Sequence, residues 1–255
     1  MNEHVQLQMD GPVARLVLAR MDKLNALTLP MLEALDAACD RLERSRDVRA
    51  VILSSANAKA FCSGADIAEW GSLSAQDMWG VWTRVGHRIF DRLAALPQPT
   101  IAAVHGAALG GGLELALACD LRIAASDSVF AMPEVRVGAI PGWGGTSRLA
   151  RLVGPGRAKH MILRAAQIDA ATALNWGLVE EVVAPDALGA HVFEVASEIA
   201  ARAPGAVRLA KQLINGGSGG VSPETLAAGL ALSLEDGREG VAAFKEKRAP
   251  RFTGA

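Results

Sequence analysis

Between Ile101 and Asp120 the chain reads IAAVHGAALGGGLELALACD, and no other stretch limits the possible folds as much. Ile101 to Val104 is an apolar run long enough for a buried strand. After a passage of small residues, the triplet Gly110-Gly111-Gly112 leads directly into the helix formers Leu113, Leu115, Leu117 and Ala118. Glu114 falls in the first turn of that helix, where backbone N–H groups lack partners. A strand, a glycine turn and a helix start carrying an acid let the backbone approach a ligand closely, and free N–H groups there can hold charge developing on oxygen. The same residues also suit a plain core connection, with Glu114 offsetting the helix dipole.

A second stretch has the same design. Val51-Ile52-Leu53 reads as a buried strand, and Phe61-Cys62-Ser63-Gly64-Ala65-Asp66-Ile67 turns through a glycine into another helix start. Two such turns can aim two N–H groups at one atom.

Four segments, FCSGADI at 61–67, HGAALGGGLELALACD at 105–120, MPEVRVGAIPGWGGTSRL at 132–149 and EGVAAFKEKRAPRF at 239–252, resemble in order and spacing the enoyl-CoA hydratase/isomerase (crotonase) family. The resemblance runs from about Val5 to Phe252. It implies an α/β fold, a crotonase-like spiral of repeated ββα units over residues 1–200, with a helical trimerisation region over 201–255. It further implies trimers that associate in pairs as hexamers, and an acyl-CoA substrate that brings coenzyme A with it, with no separate cofactor and no metal.

The chemistry of such a site can be reasoned from its parts. Water adds to the β-carbon of a conjugated thioester only if the enolate oxygen is stabilised, and losing one oxyanion donor costs roughly 3–4 kcal/mol in enzymes of this design. By the family motif, those donors are the N–H groups of Ala65 and Gly111. Hydration also needs one group to take a proton from water and another to protonate the α-carbon. The motif assigns these roles to Glu114 as base and Glu134 as acid, with the Gly142 N–H holding the water. Two carboxylates sharing a partly buried site resist double ionisation, which leaves one protonated.

The resemblance extends the site to substrate-binding residues. It places Asn25-Ala26-Leu27 beside the adenosine of coenzyme A, although Arg20-Met21-Asp22-Lys23 departs from the usual proline and basic residue ahead of it, which leaves the phosphate contact at Lys23 open. Ser63, Asp66 and Ile67 flank the first oxyanion donor. Trp143 replaces the small residue common at its position and is expected to narrow or reshape the pocket floor. Phe244 and Lys247 match residues that approach coenzyme A, often from a neighbouring subunit; a solvated helix-end lysine is an equal reading of Lys247.

Along the chain, Val5–Leu7 and Val13–Leu18 suggest a hairpin turning at Asp10-Gly11, and Leu29 to Arg44 a helix with Leu32, Leu35, Ala38 and Leu42 on one face. Trp70, Trp79 and Trp82 either line an acyl pocket or pack outside a helix. Strands are expected at Leu121–Ala124, Ser128–Phe130 and Val179–Val183. Thr146 is expected to cap a helix over Ser147–Leu152, and Asp169 the helix ending at Gly177. A further helix spans about Ala187 to Ala201, burying Val192, Val195 and Ile199. Beyond Pro204 the chain reads as helices at 206–213, 222–234 and 238–247, with a flexible break over Gly216–Gly220.

Composition excludes several classes. A net charge of −1 does not suit a nucleic-acid or anionic-membrane coat, so the expected partner is a small molecule. Cys39, Cys62 and Cys119 are odd in number and lack ligand spacing, which argues against disulfides and zinc. The N-terminus resembles neither a secretory nor a transit peptide, and no long apolar run suggests a span, so a cytoplasmic protein is expected. Within the family, an isomerase typically manages with one carboxylate, a dehalogenase would need an aspartate that residues 131–147 lack, and a feruloyl-CoA hydratase-lyase needs a tyrosine in a chain that has none. A remote alternative is a serine hydrolase of Clp-like fold using Ser63.

Overall fold

A computed structural model describes residues 3–216 and 223–255. A six-stranded sheet runs in the order β1 (Val5–Asp10), β2 (Val13–Leu18), β3 (Ala50–Ser55), β5 (Thr100–Val104), β7 (Leu121–Ala125), β10 (Glu181–Val183). A four-stranded sheet runs β4 (Ala60–Cys62), β6 (Ala107–Leu109), β8 (Val129–Ala131), β9 (Gln167–Asp169). The hairpin β1–β2 and the pair β8–β9 are antiparallel, and all other pairings are parallel. The successive pairs β3–β4, β5–β6 and β7–β8 each send one strand to each sheet before a helix follows, which is the repeated ββα spiral.

The helices are α1 (Leu29–Arg44), α2 (Ile67–Trp70), α3 (Ala75–Asp77), α4 (Arg84–Ala94), α5 (Gly111–Leu117), α6 (Gly145–Val153), α7 (Pro155–Leu163), α8 (Ala170–Trp176) and α9 (Leu188–Ala200). Three more close the chain: α10 (Pro204–Gly216), α11 (Pro223–Ser233) and α12 (Glu235–Glu246). None is long and apolar enough to cross a membrane among the described residues.

Side-chain alternation explains why the central strands read as unbroken apolar runs. Val51, Leu53, Ala102 and Val104 face one core, with α1 and α4. Ala50, Ile52, Ile101 and Ala103 face the other, against Leu188, Val192 and Ala196 of α9. Burial on both faces removes the need for polar alternation. Val195 and Ile199 are only half-buried at the edge of this second core.

The α1 helix and the Asp169 cap stand where the sequence put them, while β1 runs on to Asp10, which pairs with Val13, so the hairpin turns at Gly11-Pro12. Other expectations shift. Gly106, at a left-handed φ of 56°, starts the short strand β6 that small residues concealed; a Cβ there would lie 2.2 Å from the Lys59 carbonyl oxygen. Thr146 does not cap its helix. The helix begins two residues earlier than expected, at Gly145 after Gly144 at φ 101°, and its first N–H is taken by a carboxylate from another helix. Pro155 opens α7 directly, because its missing N–H would have had no partner there. Leu178 and Val179 enter the core as a loop ahead of β10, and β8 sits one residue later than expected. Ala165 carries a left-handed turn, at φ 47°, between α7 and β9. Residues 217–222, which include most of the anticipated glycine break and the expected helix start at Ser222, lie outside the described residues.

Buried polar contacts fasten the C-terminal helices. The Lys211 ammonium of α10, 8% exposed, donates to Asp120 at 2.7 Å and to the Gln98 carbonyl at 2.9 Å. Past α12, the Phe252 carbonyl accepts from Arg49 at 3.1 Å.

Candidate active site

Both glycine turns converge on one cavity. Gly110 takes a backbone conformation (φ 50°, ψ −124°) that side-chain-bearing residues rarely adopt, and it breaks β6 into α5. Each glycine of the triplet then makes room for something different. A Cβ on Gly110 would lie 3.0 Å from Glu134 Oε1, one on Gly111 would lie 2.7 Å from the Trp143 ring, and one on Gly112 would lie 2.2 Å from the Cys62 carbonyl oxygen.

The same Gly111 Cβ would stand only 3.3 Å from the Ala65 nitrogen, so the Ala65 and Gly111 N–H groups are neighbours. Gly111 opens α5, and its N–H has no intrahelical acceptor. The chain on either side of Ala65 bonds to Leu27, and Ala65 itself borders the cavity. Gly64 O accepts from Leu27 N–H at 2.7 Å, and Asp66 N–H donates to Leu27 O at 2.8 Å.

Residues 23–27 hold that turn in place. Leu24 and Asn25 both have left-handed φ, 49° and 56°. Asn25, fully buried, fixes this conformation by donating to Ser55 Oγ at 2.7 Å and Phe61 O at 2.9 Å while accepting from Arg20 N–H at 2.8 Å. Its main chain is engaged as well, the N–H donating to Arg20 O at 3.0 Å and the carbonyl accepting from Cys62 Sγ at 3.1 Å, so Asn25 is committed to the fold. Asp66 caps α2 through Ala68 N–H and pairs with Arg20 at 2.6 Å; hydrogen bonds from Arg20 and Ala68 hold its carboxyl below the usual range against the opposing effect of burial. Ser63 Oγ donates to Lys23 O at 3.3 Å.

The two glutamates reach the cavity from different elements. Glu114 is 2% exposed. Its Oε1 accepts the N–H groups of Trp143 and Gly145, each at 2.8 Å. Burial raises its pKa, while those two N–H groups, the Arg148 charge and a weaker pull from Gly142 oppose the shift. Glu134 starts a short 3-10 turn after the half-buried Pro133, and both its carboxylate oxygens are buried without a protein partner among the described residues. Burial, reinforced by the nearby Glu114 charge, pushes its pKa up to about 7. A solvated surface glutamate would show none of this.

The cavity encloses about 240 Å³ and is bordered by Ser63, Ala65, Ile67, Gly111, Gly142 and Trp143 as well as the two glutamates. Trp70 and Trp82 line it, whereas Trp79 is 76% exposed, so the tryptophan segment divides between the two roles considered for it. A π-helical turn over Met78–Thr83, leading into α4, brings Met78, Trp82 and Thr83 to the same wall. Sequence reasoning did not reveal that turn. Nor did it reveal the Arg148 guanidinium, which donates to Trp143 O at 2.8 Å behind the site.

Lys23, Asn25, Ala26 and Asp66 lie in the adjoining loop rather than on the cavity wall, and Phe244 (86% exposed) and Lys247 (φ 54°) lie on and just after α12. His105 bonds Asn57 O at 2.6 Å and is a structural contact. The three cysteines are buried, with thiols pushed up to about 12 chiefly by desolvation, which makes them poor nucleophiles. No cluster of metal-ligating side chains occurs among the described residues.

The sequence pattern of the enoyl-CoA hydratase/isomerase family matches residues 8–255. The chain belongs to this family. It is 42% identical over 252 residues to a short-chain-enoyl-CoA hydratase of Clostridium acetobutylicum, covering 96% of this chain and 95% of that protein. To a crotonyl-CoA hydratase of Syntrophomonas wolfei it is 40% identical, with 98% of each covered. A crystal structure of an enoyl-CoA hydratase from Bacillus anthracis superposes with a TM-score of 0.95 at 38% identity, covering 99% of this chain and 100% of that one. Full-length membership in this family of acyl-CoA enzymes sets aside the Clp-like hydrolase reading, and Ser63 bonds to a carbonyl rather than a histidine.

Proposed function

We propose that this protein is an enoyl-CoA hydratase, adding water reversibly to a 2-enoyl-CoA to give a 3-hydroxyacyl-CoA. The observation that carries this reading is the pairing of two differently held carboxylates around one cavity, next to the neighbouring Ala65 and Gly111 N–H groups. In the proposed cycle the thioester oxygen sits on the Ala65 and Gly111 N–H groups. Glu114, ionised, takes a proton from water as the water oxygen bonds to the β-carbon. The electron pair moves to the thioester oxygen as an enolate, which the two N–H groups stabilise. Glu134, protonated near neutral pH by its raised pKa, then delivers its proton to the α-carbon, and the pair resets by exchange with solvent.

Oε1 of Glu114 is held by two N–H groups, which leaves Oε2 for water beside Gly142. The Lys23–Ala26 loop, with Phe244 and Lys247, is proposed to meet the coenzyme A moiety, the last two across a trimer. The proposal includes assembly as trimers or hexamers and a cytoplasmic setting. Loss of the conjugated-thioester absorbance of crotonyl-CoA, measured beside Glu114→Gln and Glu134→Gln, tests the reading. Rapid loss, abolished by either substitution, is expected. Double-bond migration without hydration would instead identify an isomerase.

A further inference from the structure

Trp143 is one of three tryptophans on the cavity wall and the most deeply buried of them. It is 2% exposed, with ring centroids 5.5 Å from Trp82 and 5.2 Å from Phe90, the two rings that back it. On its far side α4 has a glycine, Gly86, where a Cβ would lie 2.3 Å from Trp143 Nε1. On its near side the ring presses on Gly111, where a Cβ would lie 2.7 Å away. The indole therefore fills a slot between two glycines, backed by aromatic rings. It has nowhere to retreat.

The direction of the substrate follows from the rest of the cavity. Ile67, Val137 and Ile140 border it at 56%, 54% and 73% exposure, which marks the mouth. A large, polar coenzyme A moiety must remain at that mouth. With the thioester oxygen on Ala65 and Gly111, the acyl chain points inward, past Glu114, to the Trp143–Trp82 wall. The volume, about 240 Å³, falls below the usual range for ligand pockets, roughly 300–1,000 Å³.

We infer that Trp143, seated over Gly86, is the acyl-length stop of this enzyme and restricts it to short 2-enoyl-CoA substrates. This rests on the hydratase reading for its substrate class. Discrimination between chains that differ by methylenes in an apolar pocket runs at roughly 10-fold or more per methylene. A fixed wall reverses the usual preference for the longer chain.

The test uses the full chain, Trp143→Ala and Trp143→Phe, with two readouts. The first is kcat/KM for crotonyl-CoA, 2-hexenoyl-CoA and 2-octenoyl-CoA. The second is calorimetric Kd for the saturated thioesters butyryl-CoA and octanoyl-CoA, which needs no turnover. The native chain is expected to lose at least about 10-fold in kcat/KM from crotonyl to octenoyl, and to bind octanoyl-CoA no more tightly than butyryl-CoA. Trp143→Ala should raise the octenoyl-to-crotonyl ratio at least about 10-fold and tighten octanoyl-CoA selectively. Trp143→Phe, which keeps a ring against Trp82 and Phe90, should shift the same ratios partway and serves if the alanine variant does not fold. Unchanged ratios in a folded variant, or a native preference for octenoyl-CoA, would overturn the inference. Tight butyryl-CoA binding without hydration would overturn the hydratase reading instead, and the saturated series would still decide the role of Trp143.

Discussion

Oε1 of Glu114 accepts the N–H of Gly145 at 2.8 Å, so a side chain of α5 supplies the cap that α6 lacks in its own sequence. One carboxylate thus joins two helices while lining the cavity, and its two duties can be separated.

Glu114→Gln keeps an oxygen that can accept the Trp143 and Gly145 N–H groups but removes the base. A loss of about 10²–10⁴-fold in crotonyl-CoA hydration is expected with little change in Tm. Glu114→Ala should lose the cap as well, costing about 1 kcal/mol or more in denaturant unfolding. If both variants fell equally in Tm, the helix-joining role would be wrong.

Glu134 is held protonated to about pH 7, mainly by burial and then by the Glu114 charge. The kcat/KM for hydration should therefore decline above an apparent pKa near that value, one that belongs to the coupled pair. A profile flat from neutral to alkaline pH would contradict Glu134 as the acid. The sign for stability follows from the raised folded-state pKa. The contribution is fully present below the unfolded value of 4.5, is lost as pH rises through about 7, and amounts to at most about 3 kcal/mol before solvent screening. Relative to Glu134→Gln, the native chain should lose stability across that window and level off above it.

Asn25 places three hydrogen bonds around a left-handed turn and has no exposure. Asn25→Ala would leave Phe61 O and Ser55 Oγ short of a buried partner and put an unsuited residue at φ 56°, costing roughly 2–4 kcal/mol. Because the same loop positions Ala65 N–H, kcat for crotonyl-CoA should fall in whatever protein remains folded. A stable, fully active variant would sever the link between this loop and the oxyanion donor.

Gly112 faces backbone rather than a movable side chain. A Cβ there meets the Cys62 carbonyl oxygen at 2.2 Å, so Gly112→Ala must separate α5 from β4. Overpacking of this kind typically costs 1–3 kcal/mol or more. A clear drop in Tm is expected for this substitution, whereas Gly156→Ala, with nothing within 4 Å of its Cβ, should leave Tm nearly unchanged.

The amino-acid sequence by itself determined the elements whose cause is local. Hydrophobic periodicity and a threonine cap define α1, a chain reversal defines the β1–β2 hairpin, and Asp169 starts α8. It also located the two glycine turns and the helix-start Glu114, because close backbone approach leaves glycine as its mark, whereas Glu134 came through the resemblance to the family. Tertiary structure alone decided the properties that depend on partners distant in the chain. Thr146 looked like a cap because it has the right chemistry, but the helix already starts at Gly145, whose N–H is accepted by Glu114, 31 residues earlier in the chain. The role of Gly86 in α4 shows only in its contact with Trp143. The protonated state of Glu134 and the convergence of Ala65 and Gly111 could be expected from the family motif, but their cause is not local. Desolvation and the distance between two turns arise only when separate strands bring them into one low-dielectric space.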